Sequence, residues 1–339
     1  MSPFISKLKP SKIINYLGLK MAYFFEWERV PFLPVTLDIE PNNTCNFMCP
    51  HCQVPYWNKE SYYLDEENFV KILDQFPNLV SVKLQGMGEP LLNRDLVKLL
   101  RIGEGRGIQM NFITNGSICS EQLAEELAHL DNTQITFSLD GASAEVFEKI
   151  RVGGRFDRVV ENIRLLSRTR GSRKRPKLAC WTVVTKHNIH ELSRIVRLAK
   201  ELGLDMMTIQ TFLSDWGKES MHEHTAPLRV GPAEVSLSQQ LEDASRTAED
   251  LGLELHIASH DYYSKKRKCT WPWTSAFIAA NGDVVPCCIV ADSDTVKMGN
   301  LFDEDFKTIW NSRGYREFRR RIKNHDLPDF CRNCYIDAE

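Results

Sequence analysis

The sequence predicts an α/β fold built on a parallel sheet, followed by a smaller cysteine-rich module. Three observations carry this expectation. Short β-like runs alternate with amphipathic helical stretches from about residue 33 to about 211, the pattern of repeated βα units. Three cysteines crowd the loop after the first of those runs, in "CNFMCPHC" from Cys45 to Cys52. Near residue 229 the alternation gives way to one long helical stretch, a last strand and a second group of cysteines.

The elements follow in order. Residues 1–32 contain "SKLKPSKIINYLGLKMAYFFEWERVPFL", where Lys20, Glu26 and Arg29 interrupt an apolar run and no small-residue cleavage site follows. That reads as an amphipathic helix packed on the domain, with docking on a membrane surface as the alternative, and as neither a signal peptide nor a membrane span. "LPVTLDIE" opens the domain expected over 33–228, and "DEENFVKILDQF" is its first helix. "LVSVKLQG", "IQMNFIT", "QITFSLD", "KLACWTVVT" and "DMMTIQT" supply five more strands, separated by helices such as "SEQLAEELAHL", "FDRVVENIRLLS" and "IHELSRIVRLAKEL". In the expected second module, 229–339, come the helix "PAEVSLSQQLEDASRTAEDL" and the strand "LELHIA".

Composition limits the function classes. A chain of 339 residues with 42% hydrophobic and 26% charged residues is an ordinary globular protein, and its formal charge of −2 argues against nucleic acid as the default partner. The basic runs "RTRGSRKRPK" and "FRRRIK" read as solvated faces. Without a secretion signal, the ten cysteines are expected in the reducing cytoplasm, where metal binding or chemistry outweighs disulfide formation.

Cys45, Cys49 and Cys52 offer three thiolates on one loop. A four-iron cubane needs four ligands to be closed, so three leave one iron open for another molecule, whereas zinc is the plainer alternative for clustered cysteines. With its Cys-x3-Cys-x2-Cys spacing after a first strand, the chain resembles the radical S-adenosylmethionine (SAM) enzymes over about residues 33–335. The resemblance implies a partial (β/α)6 barrel and a [4Fe–4S] cluster whose open iron binds SAM. It also implies SAM cleavage to a 5′-deoxyadenosyl radical that abstracts hydrogen from a substrate, and an electron donor such as flavodoxin or ferredoxin. His51 stands where such enzymes often carry a carbocyclic aromatic residue, and an imidazole there can still pack near adenine.

The same resemblance assigns roles at the strand ends. Gly86, Gly88, Glu89 and Pro90 in "QGMGEP" match a glycine-rich turn near the methionine amino group, since glycine admits close backbone approach. Thr114 and Asn115 in "TNG", Ser138 and Asp140 in "SLDG", and Arg151 in "KIRVGG" are further expected SAM contacts, Arg151 as a bidentate partner for carboxylate. Asn188 is divided between cofactor contact and turn capping.

Cys269, Cys287, Cys331 and Cys334 form a second set. "NGDVVPCC" and "WNSRGYREFRRRI" resemble the SPASM/twitch extension of radical SAM enzymes, with an "NGD" hairpin turn. Four ligands imply one closed auxiliary [4Fe–4S] cluster that transfers electrons or supports structure, with structural zinc as the alternative. Cys119 and Cys180 read as small hydrophobes, while Cys288, beside a cluster ligand, is a candidate hydrogen donor to a substrate radical. In "IQTFLSDWGKESMHEH", Gln210, Asp215, Trp216 and Lys218 are expected at the barrel mouth, with Asp215 as candidate proton acceptor and His222 and His224 as solvated surface. The function expected is oxidation of a small polyol, sugar-like or aminocyclitol substrate, because no separate peptide-recognition domain is apparent before Phe32. Redox-neutral epimerisation, peptide modification and a non-enzymatic redox protein are the alternatives.

Overall fold

A computed structural model describes residues 9–231, 236–258 and 268–334, except the side chain of Asn333. Ten strands form one sheet in the order β10-β9-β8-β1-β2-β3-β4-β5-β6-β7. In chain order they are β1 (Thr36–Ile39), β2 (Ser81–Leu84), β3 (Gln109–Thr114), β4 (Thr133–Ser138) and β5 (Lys177–Val183). β6 (Met206–Gln210), β7 (Glu254–Ala258), β8 (Ser275–Ile278), β9 (Asp283–Val285) and β10 (Gly299–Asn300) complete the set. The six strands expected before residue 211 are all present and run parallel as neighbours. The sheet stays open, a partial barrel.

Two strands extend that parallel set. "LELHIA" was expected in the second module, but as β7 it pairs parallel with β6. At the other edge β8, the first strand of the expected hairpin, pairs parallel with β1, a pairing not expected from sequence. β8 then turns into β9 through Asn281, Gly282 and Asp283, with Gly282 at φ 85° and its N–H donating to the Ala279 carbonyl at 2.9 Å. That is the expected hairpin turn, and positive φ is why glycine occupies it.

Alternation assigns the two faces of the sheet. Leu37, Ile39, Val82, Leu84, Met110, Phe112, Ile135, Leu178, Cys180, Met207 and Ile209 are buried in the main core under the helices. The intervening Asp38, Lys83, Asn111, Trp181 and Gln210 are half-buried on the opposite, inner face. The helices seal the outer face by ordinary amphipathic logic. In the helix Leu192–Glu201 the buried residues are Leu192, Ile195, Val196 and Ala199, spaced three and four apart. The helix Glu66–Asp74 starts where the Asp65 side chain accepts from the Asn68 N–H at 2.8 Å, and it buries Phe69, Ile72 and Leu73. The expected C-terminal helix spans Leu237–Leu251, while Pro232–Val235 lie outside the described residues.

The N-terminal helix runs Pro10–Phe24, with Ser6–Leu8 of the expected segment outside the described residues. It packs under the N-terminal ends of the strands. Asn15 exchanges two hydrogen bonds with the backbone of Leu33, and Lys12 donates to the Leu79 carbonyl just before β2. Among the described residues no helix is long and apolar enough to cross a membrane.

Candidate functional site

The C-terminal ends of β1–β6 gather around the cysteine loop. Glu40, directly after β1, is buried and holds the first two turns in place. One of its oxygens accepts from the Met87 N–H at 3.0 Å and the other from the Ala280 N–H at 3.4 Å. Burial pushes its carboxyl up to about 7. The loop then lies against the glycine turn after β2: Glu89 N–H donates to the Thr44 carbonyl at 2.8 Å, and Asn42 Nδ2 to the Glu89 carbonyl at 3.0 Å. A Cβ on Gly86 would come within 2.4 Å of Glu40, and one on Gly88 within 2.4 Å of the Asn42 carbonyl. Gly86 thus leaves room for the Glu40 side chain, and Gly88 for the backbone of the cysteine loop.

Cys49 is buried and Cys45 and Cys52 are half-buried, close enough for their charges to couple. Donors point at two of the sulfurs. Phe47 N–H lies 3.4 Å and Asn115 Nδ2 3.9 Å from Cys45 Sγ, and Arg151 Nη1 lies 3.9 Å from Cys49 Sγ. Burial pushes the Cys45 thiol up to about 11 and the Cys52 thiol up to about 12. Such thiols hold their protons at neutral pH, so iron must displace them on binding. Among the described residues no three His, Cys, Asp or Glu side chains converge on a single metal ion. The donor set, three soft sulfurs flanked by N–H groups and a guanidinium, fits an iron–sulfur cluster with one open corner.

The expected strand-end residues surround this loop, and many are bound to one another. Glu89 is buried, with Thr114 Oγ1 and Asn115 N–H each donating to its carboxylate at 2.6 Å and Leu91 N–H at 3.0 Å. It ties the ends of β2 and β3 together. Pro90 starts the short 3-10 turn Pro90–Leu92. Asp140 takes Arg151 Nε at 2.5 Å and the Val183 N–H at 2.7 Å, joining β4, β5 and the segment after the helix Ala144–Ile150. Asn188 accepts from the Thr185 N–H and donates to the carbonyls of Asp140 and Val183, a turn-closing role that uses both ends of its amide. The groups left to face a cofactor are the Ser138 hydroxyl, which has no protein partner among the described residues, the outer edge of Arg151, and His51. Burial lowers the His51 imidazole to about 4, so it is neutral, and its Nδ1 is buried without a partner.

The second cysteine set also assembles. Cys331 lies near enough to Cys287, Cys269 and Cys334 for its charge to couple to theirs, so the four expected thiols share one neighbourhood. Burial pushes the Cys334 thiol up to about 12. Four thiols are the complement that a closed four-iron cluster needs. A small apolar cluster of Met87, Phe277, Val285, Val290 and Ala291 packs against Trp216, Cys287, Cys288 and Phe330. Trp216 Nε1 donates to the His51 carbonyl at 2.9 Å, linking the loop after β6 to the first cysteine loop.

One buried carboxylate closes the mouth. Asp292 pairs with Lys59, from the segment after the cysteine loop, and with Lys218, from the loop after β6. Burial alone would raise its carboxyl, but the two ammonium groups outweigh that and hold it below the usual range. Asp292→Ala is expected to cost about 2 kcal/mol, less than a fully buried pair because both lysines are partly exposed. The contribution is complete at neutral pH and lost as the pH falls through the depressed folded value, below about 4. Denaturant melts of both proteins at neutral and acid pH check it: the two curves should converge in acid.

Asp215 does not fill its expected role. It is buried, with Thr225 Oγ1 and Arg229 Nη2 on one oxygen and His222 Nδ1 3.2 Å from the other. Burial would raise its carboxyl, yet these hydrogen bonds hold it low, which makes it a poor proton acceptor. It anchors the loop after β6. His224 stacks on Tyr56 with ring centroids 3.7 Å apart, so both histidines staple that loop.

The inner face of the sheet offers a carboxylate that the sequence reading passed over. Asp38 on β1 accepts from Gln85 Nε2 at 2.8 Å and from the Cys288 thiol, with Lys83 nearby. Burial raises its carboxyl above the usual range. Trp181 and Gln210 continue the row, joined by a 3.2 Å hydrogen bond. The signal was present: "LDIE" and "VKLQ" put charged residues at the inward positions of otherwise apolar strands, where a packed core would not tolerate them.

An open parallel sheet with a three-thiol loop at its strand ends and a separate four-thiol set defines an iron–sulfur enzyme with one open and one closed site. Comparisons agree. Residues 39–199 match the model of the radical SAM superfamily, and 269–335 match the SPASM iron–sulfur cluster-binding domain. The chain carries a radical SAM domain and a C-terminal SPASM domain, and these imply a [4Fe–4S] cluster, SAM and auxiliary iron–sulfur chemistry. It is 26% identical over 329 residues to the tungsten-containing aldehyde ferredoxin oxidoreductase cofactor-modifying protein of Pyrococcus furiosus, covering 88% of this chain and 87% of that one. To the PqqA peptide cyclase of Gluconobacter oxydans it is 28% identical over 320 residues, covering 90% and 84%. Among solved structures, Streptococcus suis SuiB bound to precursor peptide SuiA superposes with a TM-score of 0.67 at 19% identity, over 92% of this chain and 72% of that one. BtrN in complex with AdoMet and 2-DOIA gives 0.54 at 17%, over 89% and 92%.

Proposed function

We propose that this protein is a radical SAM enzyme that modifies a peptide, in preference to the small polyol expected from sequence. The observation that carries this reading is the near full-length match to a peptide cyclase, 28% identical over 320 residues. The likeness of fold to a peptide-bound enzyme is in keeping with it. Cys45, Cys49 and Cys52 hold the open-cornered cluster in this reading, and Cys269, Cys287, Cys331 and Cys334 the closed one. When bound, the first cluster supplies the electron that cleaves SAM, giving a 5′-deoxyadenosyl radical that removes hydrogen from a C–H bond.

The residues of the chain do the rest. Arg151 and Ser138 orient SAM, His51 supplies a neutral face, and Trp216 with the apolar cluster keeps water out from between the two sites. Asp38, poised on the inner face, would take the proton that the substrate radical loses when its electron passes to the closed cluster, and Gln85 fixes its orientation. Cys288, whose thiol already points at Asp38, is the group able to return a hydrogen atom.

The size of the substrate tests the proposal. Anaerobically purified enzyme with SAM and dithionite is offered extract of its source organism, split into a peptide fraction and a fraction of small molecules. The peptide fraction should stimulate 5′-deoxyadenosine release and yield a modified peptide. Oxidation removes two hydrogens, whereas epimerisation leaves the mass unchanged and, in deuterated water, installs one deuterium that Cys288→Ala abolishes. Stimulation by the small-molecule fraction alone would restore the polyol reading.

A further inference from the structure

The helix Pro10–Phe24 has two faces of opposite character. Lys12, Asn15, Gly18, Leu19 and Ala22 are buried against the domain. On the other side Ile14 is 64% exposed, Leu17 54%, Met21 51% and Phe24 76%, and Phe25 just beyond is 58% exposed. Their spacing of three and four residues makes them one continuous stripe along the helix. Apolar surface concentrated in this way marks an interaction site.

Charge identifies the occupant. From residue 9 to residue 25 the charged side chains are Lys9, Lys12 and Lys20, with no Asp or Glu. Lys9 and Lys20 are exposed, as is Arg29 beyond the helix, and Lys20 lies over the Tyr16 ring at 5.4 Å from its centroid. Of the two acids that follow, Glu26 is paired with Lys268, and Glu28 is half-buried. Half-buried Tyr16, Tyr23 and Trp27 add amphipathic rings beside the stripe. A second copy of the chain would bring lysines from both stripes together with no carboxylate on either. An anionic bilayer surface answers both features, taking the apolar side chains below its headgroups and the cations among its phosphates.

We propose that this face docks the protein on an anionic lipid surface. The helix lies at the N-terminal ends of the strands, through Lys12 on the Leu79 carbonyl and Asn15 on Leu33. The cysteine loop lies at their C-terminal ends, so docking leaves the catalytic mouth turned away from the bilayer. The surface is an anchor, and the lipid is not the substrate.

The test is co-sedimentation of the full-length, iron-loaded protein with vesicles of phosphatidylcholine, with and without phosphatidylglycerol. Wild type should sediment with the anionic vesicles, less so as salt rises, and Leu17→Ser/Phe24→Ser should bind about tenfold more weakly. That variant should keep its iron content and SAM cleavage, because both residues are solvent-exposed and remote from the site. Wild type remaining in the supernatant with anionic vesicles, or equal sedimentation of wild type and variant, would overturn the proposal. A concentration-dependent dimer that the same substitutions dissolve, without vesicle binding, would assign the face to a second copy instead.

Discussion

Cys45→Ala/Cys49→Ala/Cys52→Ala is expected to abolish SAM cleavage while leaving about half of the iron, four atoms of about eight, in the protein. The cysteine loop follows β1 and the four C-terminal cysteines lie beyond residue 268, so the two ligand sets share no residue and losing one leaves the other intact. The loop itself is held by Glu40, Asn42 and the Thr44 carbonyl, none of which depends on the sulfurs. The variant should therefore fold. Iron analysis with an assay of 5′-deoxyadenosine under dithionite reads both halves of the expectation. Loss of all iron would mean that the two sites assemble as one unit.

Arg151→Met is expected to destabilise the protein by about 3–5 kcal/mol and to weaken SAM binding at least tenfold. Arg151 Nε is paired with Asp140, whose other oxygen holds the Val183 N–H, and the arginine side chain is itself largely buried. Removing the cation strands a buried carboxylate between β4 and β5. Arg151→Met/Asp140→Asn should recover much of the stability, because the stranded charge is gone, but none of the SAM affinity, because the guanidinium is still missing. Arg151→Lys keeps charge and loses the fork, so it should fall between. Chemical denaturation and SAM titration of the three variants separate the structural contribution from the binding one, and unchanged SAM affinity throughout would remove Arg151 from the cofactor site.

The six central strands were legible because each carries a β-rich run and amphipathic helical stretches separate them. The place of β8 beside β1 was not legible, since "SAFI" is four residues long and the pairing joins positions some 240 apart in sequence. Both cysteine sets were visible from spacing and motif. What the spacing could not convey was how far the strand-end polar residues bind one another. Glu89 matches a family motif, yet its side chain is engaged in holding strand ends, and Asn188, divided between cofactor contact and capping, closes its turn. Asp215 looked like a free loop acid because Thr225 and Arg229, which bind it, lie ten and fourteen residues further on. Asp38 went unnoticed for the opposite reason: inside a strand it reads as a pattern error, and only the sheet shows that its side faces the open interior.

The measurement that bears most directly on the division into one open and one closed cluster is electron paramagnetic resonance of the reduced, iron-loaded protein with and without SAM. SAM can reach iron only where a corner is free, at the Cys45 loop. Two reduced-cluster signals are expected, of which SAM alters one, and that one is absent from the Cys45/Cys49/Cys52 alanine variant. Stoichiometric zinc in place of iron, or a SAM response that survives in that variant, would contradict the assignment.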